Sequence, residues 1–503
     1  MTAETIGRLL IRGGHVVDPS ANIDHVCDIA VVDGRIAEIG TSLSTSAGTQ
    51  VIDAEGAYVL PGVVDSHVHL TDLSHESTAT STNAYERLAM AGVTTAVEFF
   101  DFGRALDQWH TSTTGLTMLG LQGIRSYSGT AARPTLRDAV ADSLTAGAIG
   151  VKLLGGHFPN TPETSARVIE QAAELGAYCA FHAGTTEHGS NLDGMREAIQ
   201  LAQGNPLHIA HTNAYLRGAT DAVEHENRVA TELLWNATRV VSEAHLAELN
   251  LCLGAVADGA LEDQIVLNCL RQGGFSPDVA GLERAFVAGY AHVLEETAEG
   301  PRHVTGEAGR ELWRADPANS ALNFPVNNRL SALGQACVRV DAAGNQRWDG
   351  AGEFIVDAIS SDGGSWRNVI LRYGLALVRF GALTMRQLVH KACRQPALMY
   401  GLTAKGHLMP GADGDIVLVE PNSGSVRSTI AGGRVIYDGQ HVRHGGGKIL
   451  TTSAGLAAIR SRGIHGEEID LAGSLFRTRV SRAPKPATDQ QRGGPVESRA
   501  TST

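Results

Sequence analysis

Short apolar runs closed by glycine turns dominate both ends of the chain, and strand-like bursts alternate with helix-like stretches between them. At the start, Leu9-Leu10-Ile11, His15-Val16-Val17 and the run from Asp28 to Gly40 read as strands, with Asp33-Gly34 as a hairpin turn. Residues 411–419 and 428–439 repeat this grammar near the other end. Each β segment is too small to close a core alone, so segments 1–59 and 403–450 are expected to pair into one small β-sandwich. From 60 to 402 the bursts include Thr94–Phe100, Ile149–Leu154, Ala177–His182, Leu207–His211 and Ala358–Asp362. Between them, Pro162–Leu175 and Asn191–Gln203 carry apolar residues at helical spacing behind polar capping starts. This alternation predicts an α/β protein built on a (β/α)8 TIM barrel, in which chemistry sits where strands end. Residues from about 215 to 350 are too long for two barrel units and predict a mostly helical insertion. The stretch 451–503 reads as a largely disordered C-terminal tail, with a short helix near Ala454–Ser461.

Composition narrows the class. The 503 residues are 43% hydrophobic with a net charge of −13, enough apolar content for a large core and the wrong sign for nucleic acid or an anionic membrane surface. The six cysteines are scattered without paired spacing, as expected of reduced thiols in the cytoplasm. No run approaches the roughly 20 apolar residues of a membrane span. The expected partner is a small molecule, and the barrel's helical faces and the sandwich leave room for a homo-oligomer.

Candidate chemistry collects at strand ends. In Pro61-Gly62-Val63-Val64-Asp65-Ser66-His67-Val68-His69, period-two geometry turns His67 and His69 to one face at a strand tip, an arrangement suited to a metal ion. Lys152, His182, His211 and Asp362 end later bursts. An ammonium repels a cation, but Lys152 lies among apolar residues that favour its neutral amine, and a neutral amine takes up carbon dioxide to form a carbamate. That carboxylate would bridge two ions, one on His67, His69 and Asp362 and the other on His182 and His211. Asp362 would also accept a proton from water activated by the metals.

Asp65-Ser66-His67-Val68-His69, with Lys152, His182, His211 and Asp362 in this order inside a split β-sandwich, resembles the metal-dependent amidohydrolase superfamily over residues 8–445. The lysine is similar to that of the hydantoinase and dihydroorotase branch and of isoaspartyl dipeptidases. The short interval from His182 to His211, the long one to Asp362 and the motif Ser360-Ser361-Asp362-Gly363 resemble N-acyl-D-amino-acid deacylases, including D-glutamate deacylases. Many of those bridge their metals with a cysteine, which Gly92–Gly103 lacks; Lys152 takes that place, with Glu98 as the alternative. The resemblance implies a metal-dependent amidohydrolase with two zinc ions, other divalent metals being allowed, and N6-carboxylysine at Lys152. Its expected activity is deacylation of an N-acyl-D-amino acid at a linear, non-peptide amide. The alternatives are a cyclic amide hydrolase, a superfamily deaminase and a barrel that has lost catalysis. In the loops after the ligand strands, Arg217 would clamp a substrate carboxylate, Tyr215 would polarise the scissile carbonyl, and His157 would stand near the metals.

Overall fold

Eight parallel strands form a ring in chain order: β1 (Val63–Val68), β2 (Val93–Glu98), β3 (Thr117–Ile124), β4 (Gly150–Leu154), β5 (Tyr178–His182), β6 (Leu207–Ile209), β7 (Val240–His245) and β8 (Ala358–Ser360). The computed structural model describes residues 7–70, 81–124, 136–247, 249–250, 252–297, 300–325, 329–347, 349–363 and 369–482. Parallel strands are covered on both faces, and β1, β2, β4 and β5 are buried along their whole length. The ring closes between β8 and β1, where Asp362 N–H donates to His67 O and His69 N–H donates to Gly363 O, both at 3.0 Å. Helix Pro162–Glu174 starts at a Thr161 cap with proline in its first turn, and helix Leu192–Ala202 starts at an Asn191 cap.

The terminal segments hydrogen-bond into one continuous eight-stranded sheet, where the sequence led us to expect a sandwich. Its central seam pairs Tyr58–Pro61 with Ile416–Val419 antiparallel, and that strand also runs beside Leu9–Asp18. The chain passes from this sheet into β1 through Gly62, where a Cβ would lie 2.2 Å from Thr94 Oγ1, so only glycine fits.

The structure departs from the sequence reading in two further places. The region from about 215 to 350 is not mostly helical: it contains barrel strand β7, and residues 246–357 then combine helices with small sheets, one of them four-stranded. Strands of two to six residues carry too few positions for an apolar period to register. This insertion has its own core around Phe286, Trp313 and Phe324. The second departure concerns the tail, which is ordered as far as Arg482. Lys448–Thr451 pairs with β3, and Phe476 on helix Leu475–Thr478 stacks on Tyr178 with ring centroids 3.9 Å apart. Arg479 and Arg482 both pair with buried Asp357. The last part of the predicted tail, 483–503, lies outside the described residues. Among the described residues no helix is long and apolar enough to cross a membrane.

Candidate active site at the barrel mouth

Three side chains converge where β8 meets β1. His67 Nε2 and His69 Nε2 are 3.3 Å apart, and Asp362 Oδ1 stands 3.2 Å from the first and 3.4 Å from the second. Donors bound at about 2.1 Å in a tetrahedral zinc shell stand roughly 3.4 Å apart, so the spacing suits a shared cation. His67 is fixed from behind: Nδ1 donates to Glu243 Oε1 at 2.7 Å, which leaves the Nε2 lone pair facing Asp362, and Phe99 stacks on its ring.

His182 and His211 form the opposite wall, with ring centroids 4.4 Å apart and planes nearly perpendicular. His182 Nε2 is 2.9 Å from Ser190 Oγ, so Nδ1 is the nitrogen left for a ligand. Gly156 permits this ring position, because a Cβ there would lie 1.9 Å from His182 Nε2. Among the described residues buried His211 Nδ1 has no hydrogen-bond partner, and His67, His211 and Asp362 each offer a donor atom within 4.8 Å of the others. His211 and Asp362 both hold left-handed backbone, at φ 31° and 46°. Such conformations in non-glycine residues cost about 1–3 kcal/mol and persist where neighbouring bonds enforce them. Lys152 on β4 is 1% exposed, its Nζ lacks a hydrogen-bond partner among the described residues, and it sits 4.6 Å from the Phe99 ring centre.

The cavity above these groups is also lined by His157, Arg217, His245 and Asn250. His157 Nδ1 is 3.0 Å from Asp263, a buried acid contributed by the insertion that also accepts from Leu253 and Ile265 N–H. Among the described residues Arg217 has no carboxylate partner, and its Nε is buried without an acceptor. Tyr215 does not line the cavity: its hydroxyl accepts the Ala183 N–H at 2.9 Å, and its ring packs beside His182 and His211. It therefore positions the loop after β5, where the sequence suggested contact with a carbonyl. Glu98, the alternative bridge, does not line this cavity, and its carboxylate accepts the backbone N–H groups of Leu70, Phe100 and Asp101. His208 on β6 is fully buried, with Nδ1 3.1 Å from the Tyr178 hydroxyl and its ring edge-on to Phe99.

The model of the Amidohydrolase family matches residues 58–257, which hold β1 to β7 and every candidate donor except Asp362. The chain is 25% identical over 462 residues to a dihydroorotase of Geobacter metallireducens, an alignment that takes in 85% of this chain and 99% of the relative. The chain is thus similar to members of the amidohydrolase superfamily over most of its length. It is accordingly a hydrolase of carbon–nitrogen bonds other than peptide bonds. A second relative of this amidohydrolase, the D-hydantoinase of Geobacillus stearothermophilus, is 26% identical over 430 residues, 82% of this chain and 84% of that one. Among solved structures, the N-acyl-D-glutamate deacylase of Bordetella bronchiseptica, complexed with zinc and a phosphonate inhibitor, superposes with a TM-score of 0.61 at 15% identity, over 89% of this chain and 99% of that chain. At that identity the likeness is one of fold.

The electrostatics of the amidohydrolase site suit a divalent cation. Burial pushes His67, His182 and His211 well below the ordinary imidazole range, so they are neutral donors at physiological pH. Burial also lowers Lys152 to about 8, which raises the share of free amine. Unpartnered nitrogens on Lys152 and His211, buried beside an ionised Asp362, leave polar groups that a cation and its bridging anion would satisfy. Sequence reasoning missed Glu243 and His245. Both lie on β7, whose Val240-Val241-Ser242-Glu243-Ala244-His245 shows no continuous apolar run, and the alternation of Glu243 with His245 was the available signal.

Proposed function

We propose that this amidohydrolase opens a cyclic amide of the hydantoin or dihydropyrimidine type, on a substrate that also carries a carboxylate. The observation that carries the reading is the buried Lys152 amine, unpartnered among the described residues, in the same cavity as the His67, His69, Asp362 and His182, His211 sets. Near full-length likeness to a dihydroorotase and a D-hydantoinase favours a ring amide over the linear N-acyl-D-amino acid suggested by ligand spacing, for which the likeness is structural only.

On this reading His67, His69 and Asp362 would hold one divalent ion, His182 and His211 would hold a second, and Lys152 would carry a carbamate. Bound ions would lower the pKa of water and polarise the substrate carbonyl. The chain's own groups do the rest. Asp362 accepts the proton that water gives up as its oxygen bonds to the carbonyl carbon, and returns it to the ring nitrogen as the C–N bond breaks. One water is consumed, and one acid bearing the freed nitrogen group is formed. Arg217, without a carboxylate partner among the described residues, binds the substrate carboxylate. His157, anchored by Asp263, faces the substrate from the insertion side.

The test is product analysis on two panels: dihydroorotate, hydantoins and dihydrouracil, and N-acetyl-D- and L-amino acids. A single ring-opened product from the first panel, with little free amino acid from the second, is expected. Efficient release of amino acid without ring opening would restore the deacylase reading.

A further inference from the structure

Glu243 is a buried acid that neither the ligand set nor the substrate contacts use, yet it touches both halves of the site. It lies on β7, is 0% exposed, and has both oxygens occupied. Oε1 accepts from His67 Nδ1 at 2.7 Å and from the His211 backbone N–H at 2.8 Å, while Oε2 accepts the Ser360 hydroxyl. Those partners belong to β1, to the turn two residues beyond the end of β6, and to β8. One carboxylate thus spans the barrel seam on which the donors are mounted.

Each contact has a separate consequence. Accepting the Nδ1 proton selects the His67 tautomer whose Nε2 carries the lone pair, and the negative charge makes that ring a stronger donor. Accepting the His211 N–H holds a backbone that His211 would otherwise leave, since its φ of 31° is unfavourable for a residue with a Cβ. We propose that Glu243 is the positioning residue for both metal subsites, presenting His67 to one ion and fixing the His211 main chain for the other. This rests on the metal reading given under Proposed function.

Zinc affinity tests it independently of turnover. Wild type, Glu243→Gln and Glu243→Ala are stripped of metal and titrated with zinc against a chromophoric chelator, with circular dichroism as the check on folding. Glutamine keeps an oxygen for His67 and His211 but loses the charge, so both zinc equivalents weaken by about tenfold. Alanine removes the acceptor as well, and both weaken by about 100-fold, the span seen when partners of metal ligands are removed. The graded loss, with partial rescue by glutamine, marks positioning. If the alanine variant does not fold, the glutamine variant alone decides. Variants that bind two equivalents as tightly as wild type, or lose only one, overturn the proposal. A wild-type chain that binds no zinc overturns the metal reading itself.

Discussion

His67 and Asp362 are joined twice. The Asp362 N–H donates to His67 O at 3.0 Å, and Asp362 Oδ1 stands 3.2 Å from His67 Nε2. The contact that closes the barrel between its last and first strands therefore also sets the distance between a carboxylate donor and an imidazole donor. Asparagine tolerates the left-handed backbone at position 362 and keeps its N–H, so Asp362→Asn is expected to fold with a Tm close to wild type. Its kcat should fall by about 10²–10⁴, the usual value of a lost general acid–base group, in steady-state kinetics beside a thermal melt.

Arg217 has no carboxylate partner among the described residues, and this predicts a split between substrates. Arg217→Met should raise KM for a carboxylate-bearing ring amide by about 10- to 100-fold, in line with a charged hydrogen bond of about 1.5–3 kcal/mol. For an uncharged hydantoin KM should be unchanged. Equal effects on both would assign Arg217 to the cavity wall and not to the substrate.

Tyr215→Phe separates scaffold from chemistry. Without the hydroxyl, the buried Ala183 N–H loses its acceptor, a cost of about 1–3 kcal/mol that a denaturation curve would register. Turnover should stay within about tenfold of wild type, whereas a tyrosine that polarised the carbonyl would cost about 10²–10³ in kcat.

Lys405 clamps the terminal sheet, with Nζ 2.6 Å from Asp415 Oδ2 and 2.9 Å from Asp413 Oδ2. Burial alone would lower its pKa, but the two carboxylates outweigh burial and raise it; Asp413 is lowered, its burial opposed by Lys405 first. The raised lysine stabilises the fold fully below its unfolded value of 10.5 and loses that contribution as pH rises through the folded value. The lowered aspartate contributes fully above 3.8 and loses its share as pH falls toward the folded value. Lys405→Met should therefore cost about 3–5 kcal/mol near neutral pH. The deficit should shrink in acid below pH 3.8, where Asp413 begins to lose its charge. A deficit independent of pH from 3 to 9 would mean that packing, not charge, is lost.

The parts of this protein that could be read from its sequence are those where period and chemistry coincide. His67 and His69 are two apart at the end of an apolar run, so their place at the tip of β1 follows from pattern alone, whereas Lys152, expected at a strand end, stands buried in the middle of β4. Helices opening at Thr161 and Asn191 announce themselves by their caps. Glu243 and His245 stayed hidden because polar residues on β7 point into the barrel, where they serve the donors and break the apolar signal that marks a strand. Tyr215 was misread because a loop tyrosine after a ligand histidine looks substrate-facing until its hydroxyl is found on Ala183. The stretch from Leu471 to Arg482 looked like tail, yet Leu471 and Phe476 are buried against the barrel, which only the distant partner Tyr178 explains.

The most direct test of the central claim is the metal content of the purified chain, measured by elemental analysis without added chelator on wild type and Lys152→Ala. Two equivalents of divalent metal per wild-type chain, falling to one or fewer in the folded Lys152→Ala variant together with ring-opening activity, is the result expected from a lysine that bridges two ions. An active wild type carrying a single equivalent, unchanged in Lys152→Ala, would contradict it.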